Sequence, residues 1–197
     1  MSTKQLVDNI YRMRNDQIIG LAKNEYMPGD VQLAIAKHSY TRAHWYLAEN
    51  SGLTKEARNY LWSDRCNRGY TLKTIMLAHG HYAEDPDKYY ELYEKYPSAW
   101  TRSSWRMSNA FFGNYWHPQT IGYCPADLLN RIYDEKFAPR TATSDRPSYG
   151  YYYEGPRYAL ERMAKCPNVD LTLAIKLSHS EHESVRKMGF QKIVELS

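Results

Sequence analysis

Long apolar runs are missing from this 197-residue sequence. Its most apolar stretches, such as residues 31–36 and 75–78, are far shorter than the roughly 18 residues that a membrane-spanning helix needs. The first residues, MSTKQLVDNIYRMRND, carry charge and helical periodicity but no long apolar core and no small-residue cleavage site, so no secretory signal is expected. These absences favour a cytoplasmic protein without a membrane partner.

Cysteine is scarce, with Cys66, Cys124 and Cys166 as its only occurrences. An odd number at wide spacing, without a Cys-x-x-Cys pair, argues against a disulfide framework. We therefore expect three reduced and mostly structural thiols. No base lies close to any of them in sequence, and partners from distant positions stay open.

The motifs of common enzyme classes are also absent. There is no Gly-x-Ser-x-Gly, no His-Glu-x-x-His, and no glycine pattern typical of a P-loop or a dinucleotide site. The paired carboxylates Asp134 and Glu135 are neighbours on a predicted helix, so they should point apart on a solvated surface. We predict no catalytic residues and no cofactor, and we favour a non-enzymatic role over an enzyme on a helical scaffold.

Two histidine pairs are candidates for metal binding. His79 and His81 flank Gly80, but two imidazoles alone make a weak site, and this pattern is also typical of a helix end closed by glycine. His179 and His182 lie among acidic residues that are more typical of a capped helix start. We expect no metal at either pair.

The overall composition is typical of a folded protein, apart from an unusual amount of tyrosine. Hydrophobic residues make up 43% of the sequence, the formal net charge is +4, and 19 residues are tyrosine. That is enough apolar material for one domain or for an array of helix pairs. The mildly basic balance permits an acidic partner without requiring one.

A short pattern recurs along the first 80 residues. The segments LAKN, IAKH, LAEN, LWSD and LAHG start at residues 21, 35, 47, 61 and 77. Each step holds one short helix and a turn, and two steps give a pair in the period range of helical repeats. Such short helices are marginal alone and persist when neighbours cover their apolar sides.

Helices are predicted over several further segments. Residues 4–22 have apolar residues at three- and four-residue steps, which predicts one amphipathic helix. Asp30, Asp85 and Asp170 are expected to cap helices, with Pro86 in the first helical position after Asp85. The remaining predicted helices cover residues 98–112, 126–137, 157–165 and the C-terminus.

Proline, glycine and tyrosine interrupt the pattern in the middle of the chain. Residues 113–125 and 138–156 are predicted loops, the second with the run YGYYYEGP. We predict a single all-α helical-repeat domain over residues 1–197, with regular repeats at 4–80 and 157–197 and an irregular aromatic-rich middle at 97–156. The expected architecture is a short α-solenoid or right-handed superhelix of stacked helix pairs with irregular central loops.

Two segments resemble known helical-repeat classes. HESVRKMGFQKIVEL at 182–196 resembles the second half of a HEAT repeat, and GDVQLAIAKHSYTRAHWYLAEN at 29–50 is similar to the leucine-rich-repeat variant class. The resemblance covers roughly residues 18–80 and 157–197. It departs at 39–41, where the turn proline of the variant class is missing, and this sequence has no cysteine cluster. The resemblance implies an α-solenoid and brings no activity with it.

The first functional hypothesis is a module that binds a protein partner. Helical solenoids offer a groove, and tyrosine, tryptophan and arginine are enriched at interface hot spots. The tyrosine run and the arginines around it should form the contact surface. The predicted contact residues are Tyr149, Tyr151, Tyr152, Tyr153, Arg157, Arg140 and Arg146.

The alternative is nucleic-acid binding of the HEAT-like DNA-repair glycosylase type. Residues 96–126 contain arginines and large rings but no Asp or Glu, and such residues can bind phosphates and stack on bases. No catalytic set of that family can be matched in this sequence. The residues proposed for this role are Arg65, Arg68, Arg102, Arg106 and Trp105.

Overall fold

The computed structural model describes residues 2–63, 66, 69–96, 110–112, 123–137 and 156–197. Within these ranges the chain forms helices and turns and no strand, which confirms the all-α prediction. The chain divides into two compact units, Met1–His81 and Tyr82–Ser197. Among the helices described, none is both long and apolar enough to cross a bilayer.

The described part of unit 1 contains six short α-helices of 7 to 10 residues. The helices are α1 (Thr3–Asn9), α2 (Asn15–Ala22), α3 (Gly29–Lys37), α4 (Thr41–Glu49), α5 (Lys55–Trp62) and α6 (Gly69–Ala78). α1 packs on α3 and α3 on α5, while α2 packs on α4 and α4 on α6. Every helix from α1 to α4 therefore contacts the helix two positions later. Fully buried aliphatic side chains fill the space between them, among them Ile18, Ile35, Leu47 and Leu72.

The prediction of one helix over residues 4–22 was wrong. α1 is followed by a 3₁₀ turn at Ile10–Arg12, and Met13 and Arg14 are extended before α2 begins. Gln17 stabilises the new start, because its Oε1 accepts a hydrogen bond from Arg14 N at 3.0 Å. The break allows both Ile10 and Ile18 to be completely buried.

Unit 2 contains five described α-helices. They are α7 (Asp87–Lys95), α8 (Ala126–Ile132), α9 (Pro156–Lys165), α10 (Leu171–Ser178) and α11 (Glu183–Leu196), and a π-helical turn at Tyr133–Phe137 extends α8. Residues 110–112 are also helical. Tyr89 of α7 meets Phe111 edge to face, with ring centroids 5.8 Å apart, in the core of this unit.

α10 and α11 pack closely because Gly189 has no side chain. A Cβ at this position would meet Leu177 C at 2.8 Å and would collide with the backbone nitrogen of Ser178. The apolar side predicted for the last helix is buried at Val185 and partly buried at Ile193, whereas Phe190 is exposed. The close contact at Gly189 lets two short helices share one interface.

The predicted helix starts are confirmed in one case and displaced in two. The Asp170 side chain accepts a hydrogen bond from Leu173 N at 2.8 Å and caps α10 as predicted. α3 begins at Gly29, so Asp30 lies inside it, and α7 begins at Asp87, with Pro86 in the N-cap position. Most of the predicted helix at 98–112 and of the two loops lies outside the described residues.

Candidate functional site

Arg157 is the one residue of the two predicted sites that the structure describes. It is exposed at the start of α9, where its Nε donates to Glu161 Oε1 at 2.8 Å and its guanidinium carbon lies 5.6 Å from the ring centroid of Tyr158. The other predicted residues lie outside the described ranges. They are Tyr149, Tyr151, Tyr152, Tyr153, Arg140 and Arg146 for the protein partner, and Arg65, Arg68, Arg102, Arg106 and Trp105 for nucleic acid.

In unit 1, the turn after α4 is bonded to the turn after α2 by a buried asparagine. Asn50 Nδ2 donates to the carbonyl of Ala22 at 2.8 Å and to that of Asn24 at 3.0 Å. Its Oδ1 accepts from Gly52 N at 2.8 Å. The side chain thus satisfies carbonyls at the end of α2 that have no intrahelical partner.

Gln32 makes a second bridge at the same level. From α3, its Nε2 donates to the carbonyls of Met27 and Gly52 at 3.0 and 2.8 Å. Its Oε1 accepts from Thr54 N at 2.7 Å, at the start of α5. A glutamine inside a predicted apolar helix is therefore part of the polar framework that aligns successive turns.

His81 repeats the role of Asn50 one step further along the chain. Its Nε2 donates to the carbonyl of Ala48 at 2.9 Å, and Ala48 occupies in LAEN the position that Ala22 occupies in LAKN. Burial is the main reason that the pKa of His81 is lowered to about 4, with smaller contributions from the charges of His79 and Arg58. His81 is therefore neutral at pH 7.

His81 follows a glycine in the left-handed conformation, since Gly80 has φ of 73°. This is the geometry of a helix C-terminus closed by glycine. The backbone oxygen of His81 accepts a hydrogen bond from Arg58 Nη1. His79 and His81 thus lie at a helix end, and no group of three or more metal-ligating side chains lies within the described residues.

The outer side of α4 presents an exposed aromatic ring in unit 1. Arg42, Trp45 and Glu49 are exposed and follow one another at three- and four-residue spacing, and Trp45 keeps 45% of its surface accessible. The neighbouring Tyr46 is partly buried beneath Lys23, the residue that follows α2, and Lys23 Nζ lies 4.3 Å from the ring centroid. We call these five residues the α4 surface.

The contact between lysine and tyrosine recurs in unit 1. Lys37 Nζ of α3 lies 5.9 Å from the ring centroid of Tyr60 of α5, and both residues follow the first pair by 14 positions. Each pair joins the C-terminal end of one helix to the helix two positions later. The 92% exposed Tyr26 follows α2, in the turn that Asn50 binds.

The positive charge of the protein is concentrated in the same unit. Residues 1–81 hold 11 Lys and Arg against 7 Asp and Glu, whereas residues 82–197 hold 15 of each. The whole net charge of +4 therefore belongs to unit 1. The two units therefore differ in net charge, which is +4 for unit 1 and zero for unit 2.

Cys66 has a base beside it. Cys66 Sγ lies 3.6 Å from Nδ1 of His44, although 22 residues separate the two in sequence. His44 Nε2 donates to the carbonyl of His38 at 2.8 Å. Sequence reasoning missed this pair because α4 and the turn after α5 meet only when the helices pack.

In unit 2, the carboxylates Asp134 and Glu135 point apart, as expected, but they are not simply solvated. Glu135 accepts from Tyr93 Oη at 2.5 Å and from Arg131 Nε at 2.7 Å. These hydrogen bonds, that from Tyr93 first, hold the pKa of Glu135 below its usual value. Asp134 Oδ2 accepts from Lys176 Nζ at 2.8 Å, so the two carboxylates tie the end of α8 to α7 and α10.

Comparisons with known proteins place this chain with no family. It matches no protein-family model, no curated protein and no solved structure. The all-helical class of the described residues and the geometry of the α4 surface are therefore based on the sequence and structure of this chain alone.

Proposed function

We propose that this chain is a cytoplasmic, non-enzymatic interaction module that binds a protein partner through exposed tryptophan, tyrosine and basic side chains. The proposed architecture is a short α-solenoid of the HEAT-like or leucine-rich-repeat variant kind. The packing of alternate helices in unit 1 supports it, because each helix from α1 to α4 contacts the helix two positions later. The equivalent bonds from Asn50 to Ala22 and from His81 to Ala48 support a repeating unit.

The observation that carries the proposal is the α4 surface. Burying a tryptophan is strongly favourable, yet Trp45 stays 45% exposed beside Arg42. Tryptophan, tyrosine and arginine are the residues that most often carry binding energy at protein interfaces. The excess of Lys and Arg in residues 1–81 favours a partner with an acidic surface.

Affinity capture tests this proposal when it is combined with a matched pair of surface variants. Arg42→Glu with Trp45→Ala alters the α4 surface, and Lys187→Glu with Phe190→Ala alters a cation and a ring at the same spacing on α11. All four side chains are exposed, so both variants should keep the wild-type melting temperature. We expect a partner that survives nuclease treatment, is lost with the α4 variant and is kept by the α11 variant.

Equal capture by the α4 variant and the wild type would reject the α4 surface as the binding site. The predicted tyrosine-rich contact surface is tested in the same way. Substitution of Tyr151, Tyr152 and Arg157 should then abolish capture while the melting temperature stays unchanged. Retained binding would reject that part of the proposal.

The second candidate function is nucleic-acid binding, which the concentration of charge in residues 1–81 favours. Exposed rings such as Trp45 and Tyr26 are suited to base stacking, and Lys23, Arg42, Arg65 and Arg68 belong to the same segment. Titration with duplex and single-stranded oligonucleotides at low salt is the test. Binding that weakens steeply as salt rises would support this function, and absence of binding would exclude it.

A further inference from the structure

Cys66 differs from the other two cysteines in what its sulfur contacts. Cys66 Sγ lies 3.6 Å from an imidazole nitrogen, whereas Cys124 Sγ lies 3.7 Å from the carbonyl oxygen of Pro125. Cys166 Sγ donates toward the carbonyls of Arg162 and Phe111 at 3.6 and 3.8 Å. A carbonyl accepts the thiol proton in a hydrogen bond but is far too weak a base to remove it, whereas a neutral imidazole can.

The tautomer of neutral His44 follows from its other contact. A backbone carbonyl only accepts hydrogen bonds, so Nε2, which lies 2.8 Å from the oxygen of His38, must carry a proton. In neutral His44, Nδ1 then presents a lone pair toward Cys66, and the thiol donates to it. Cys66 as nucleophile, His44 as base and the carbonyl of His38, which orients the base, therefore form a hydrogen-bonded chain, as in thiol-dependent enzymes.

The three cysteines also differ in access. Cys66 keeps 8% of its surface exposed, whereas Cys124 is completely buried and Cys166 is 1% exposed. Burial raises the pKa of the Cys124 thiol well above its usual value and that of Cys166 to about 12. Neither of these two thiols ionises appreciably at neutral pH, so they serve as controls within the same molecule.

We propose that Cys66 is a site of peroxide oxidation in this protein, with His44 as the base that activates its thiol. His44 Nδ1 takes the thiol proton, and the sulfur attacks one oxygen of hydrogen peroxide. An S–O bond forms as the O–O bond breaks, and the leaving hydroxide takes a proton from the imidazolium to become water. Sulfur is oxidised to sulfenic acid and peroxide is reduced, so no further reactant is needed.

The test is site-resolved trapping of sulfenic acid on the full chain. The protein is treated with hydrogen peroxide and dimedone at pH 7.5, digested, and the adduct at each cysteine is followed over time by mass spectrometry. We expect Cys66 to be labelled at least tenfold faster than Cys124 and Cys166. Labelling of Cys66 at the same rate as the two buried cysteines would overturn the proposal.

The variant His44→Gln separates the effect of the base on Cys66 from the effect of side-chain packing. A glutamine Nε2 can keep the hydrogen bond to the carbonyl of His38, but it has no basic nitrogen near Cys66 Sγ. Labelling of Cys66 should fall at least tenfold while the melting temperature changes little. An unchanged rate in the folded variant would rule out His44 as the base. If the variant unfolds, all three cysteines become equally reactive, and the comparison within the wild-type protein decides.

Discussion

Asn50 donates a hydrogen bond from its side chain to the backbone carbonyl of Ala22 at 2.8 Å, across 28 residues of sequence. Ala22 is the last residue of α2, so its carbonyl has no partner within the helix. His81 makes the equivalent bond to Ala48 near the end of α4. In the row α2–α4–α6, the polar side chain that follows α4 thus closes the end of α2, and the one that follows α6 closes the end of α4.

Replacing Asn50 with alanine should destabilise the protein. The substitution leaves the buried carbonyl of Ala22, the carbonyl of Asn24 and the amide of Gly52 without their side-chain partner. The loss of these three hydrogen bonds should lower the free energy of unfolding by about 2–4 kcal/mol. Urea denaturation measures this free energy. The control is Asn24→Ala, which removes one exposed bond to Tyr26 N and should cost less than about 1 kcal/mol. Similar losses in the two variants would contradict the role assigned to Asn50.

The lowered pKa of His81 predicts a loss of stability in acid. Its pKa is about 4 in the folded protein and near the usual 6.5 when unfolded, so the unfolded state binds a proton first as the pH falls. The stabilisation from neutral His81 is complete above pH 6.5 and is lost as the pH falls toward 4. The linked change in the free energy of unfolding is about 3 kcal/mol when complete.

The variant His81→Gln isolates this effect, because glutamine can keep the bond to Ala48 without titrating. We expect the difference in unfolding free energy between variant and wild type to shift in favour of the variant between pH 6.5 and 4. Urea denaturation at a series of pH values measures it. A difference that stays constant with pH would show that His81 is not the titrating group.

Gly189 and Gly20 form a pair of helical glycines with opposite expected responses to alanine. At Gly189 a methyl group would collide with the backbone of Ser178, so α10 and α11 must separate at a cost of about 1–3 kcal/mol. At Gly20 nothing lies within 4 Å of a new Cβ, and alanine should stabilise α2 by about 0.5–1 kcal/mol. Thermal melts of both variants measure the sign. A melting temperature that rises for both would contradict the close approach at Gly189.

Asp170 should contribute more than an ordinary helix cap. Its carboxylate accepts from Leu173 N at 2.8 Å and from Asn130 Nδ2 at 3.0 Å, so it links α10 to α8. Asp170→Ala should therefore cost about 1–2 kcal/mol in chemical denaturation. The control Glu183→Ala removes an exposed carboxylate, ion-paired with Lys187, from the first turn of α11, and its effect should be much smaller. Equal effects would mean that neither the cap nor the link to Asn130 stabilises the protein.

The local pattern of the sequence determined the helical class and most helix positions in the described residues. Apolar residues at three- and four-residue steps determine which side of a short helix can be buried. Asp170 caps α10 because its carboxylate reaches the backbone N–H of Leu173, three residues later. Both effects act within a few residues. Helix faces and caps can therefore be predicted from a short stretch of sequence without the rest of the chain.

Tertiary structure decided the features that join residues far apart in sequence. Periodicity alone does not tell which of Trp45, Tyr46 and Leu47 stays exposed, because neighbouring helices determine which side is covered. The break at Met13, the bridges from Gln32 and Asn50, and the contact of His44 with Cys66 likewise depend on how the helices stack. A hydrogen bond across 20 or more residues forms only after packing has brought its partners together, so no local signal in the sequence records it.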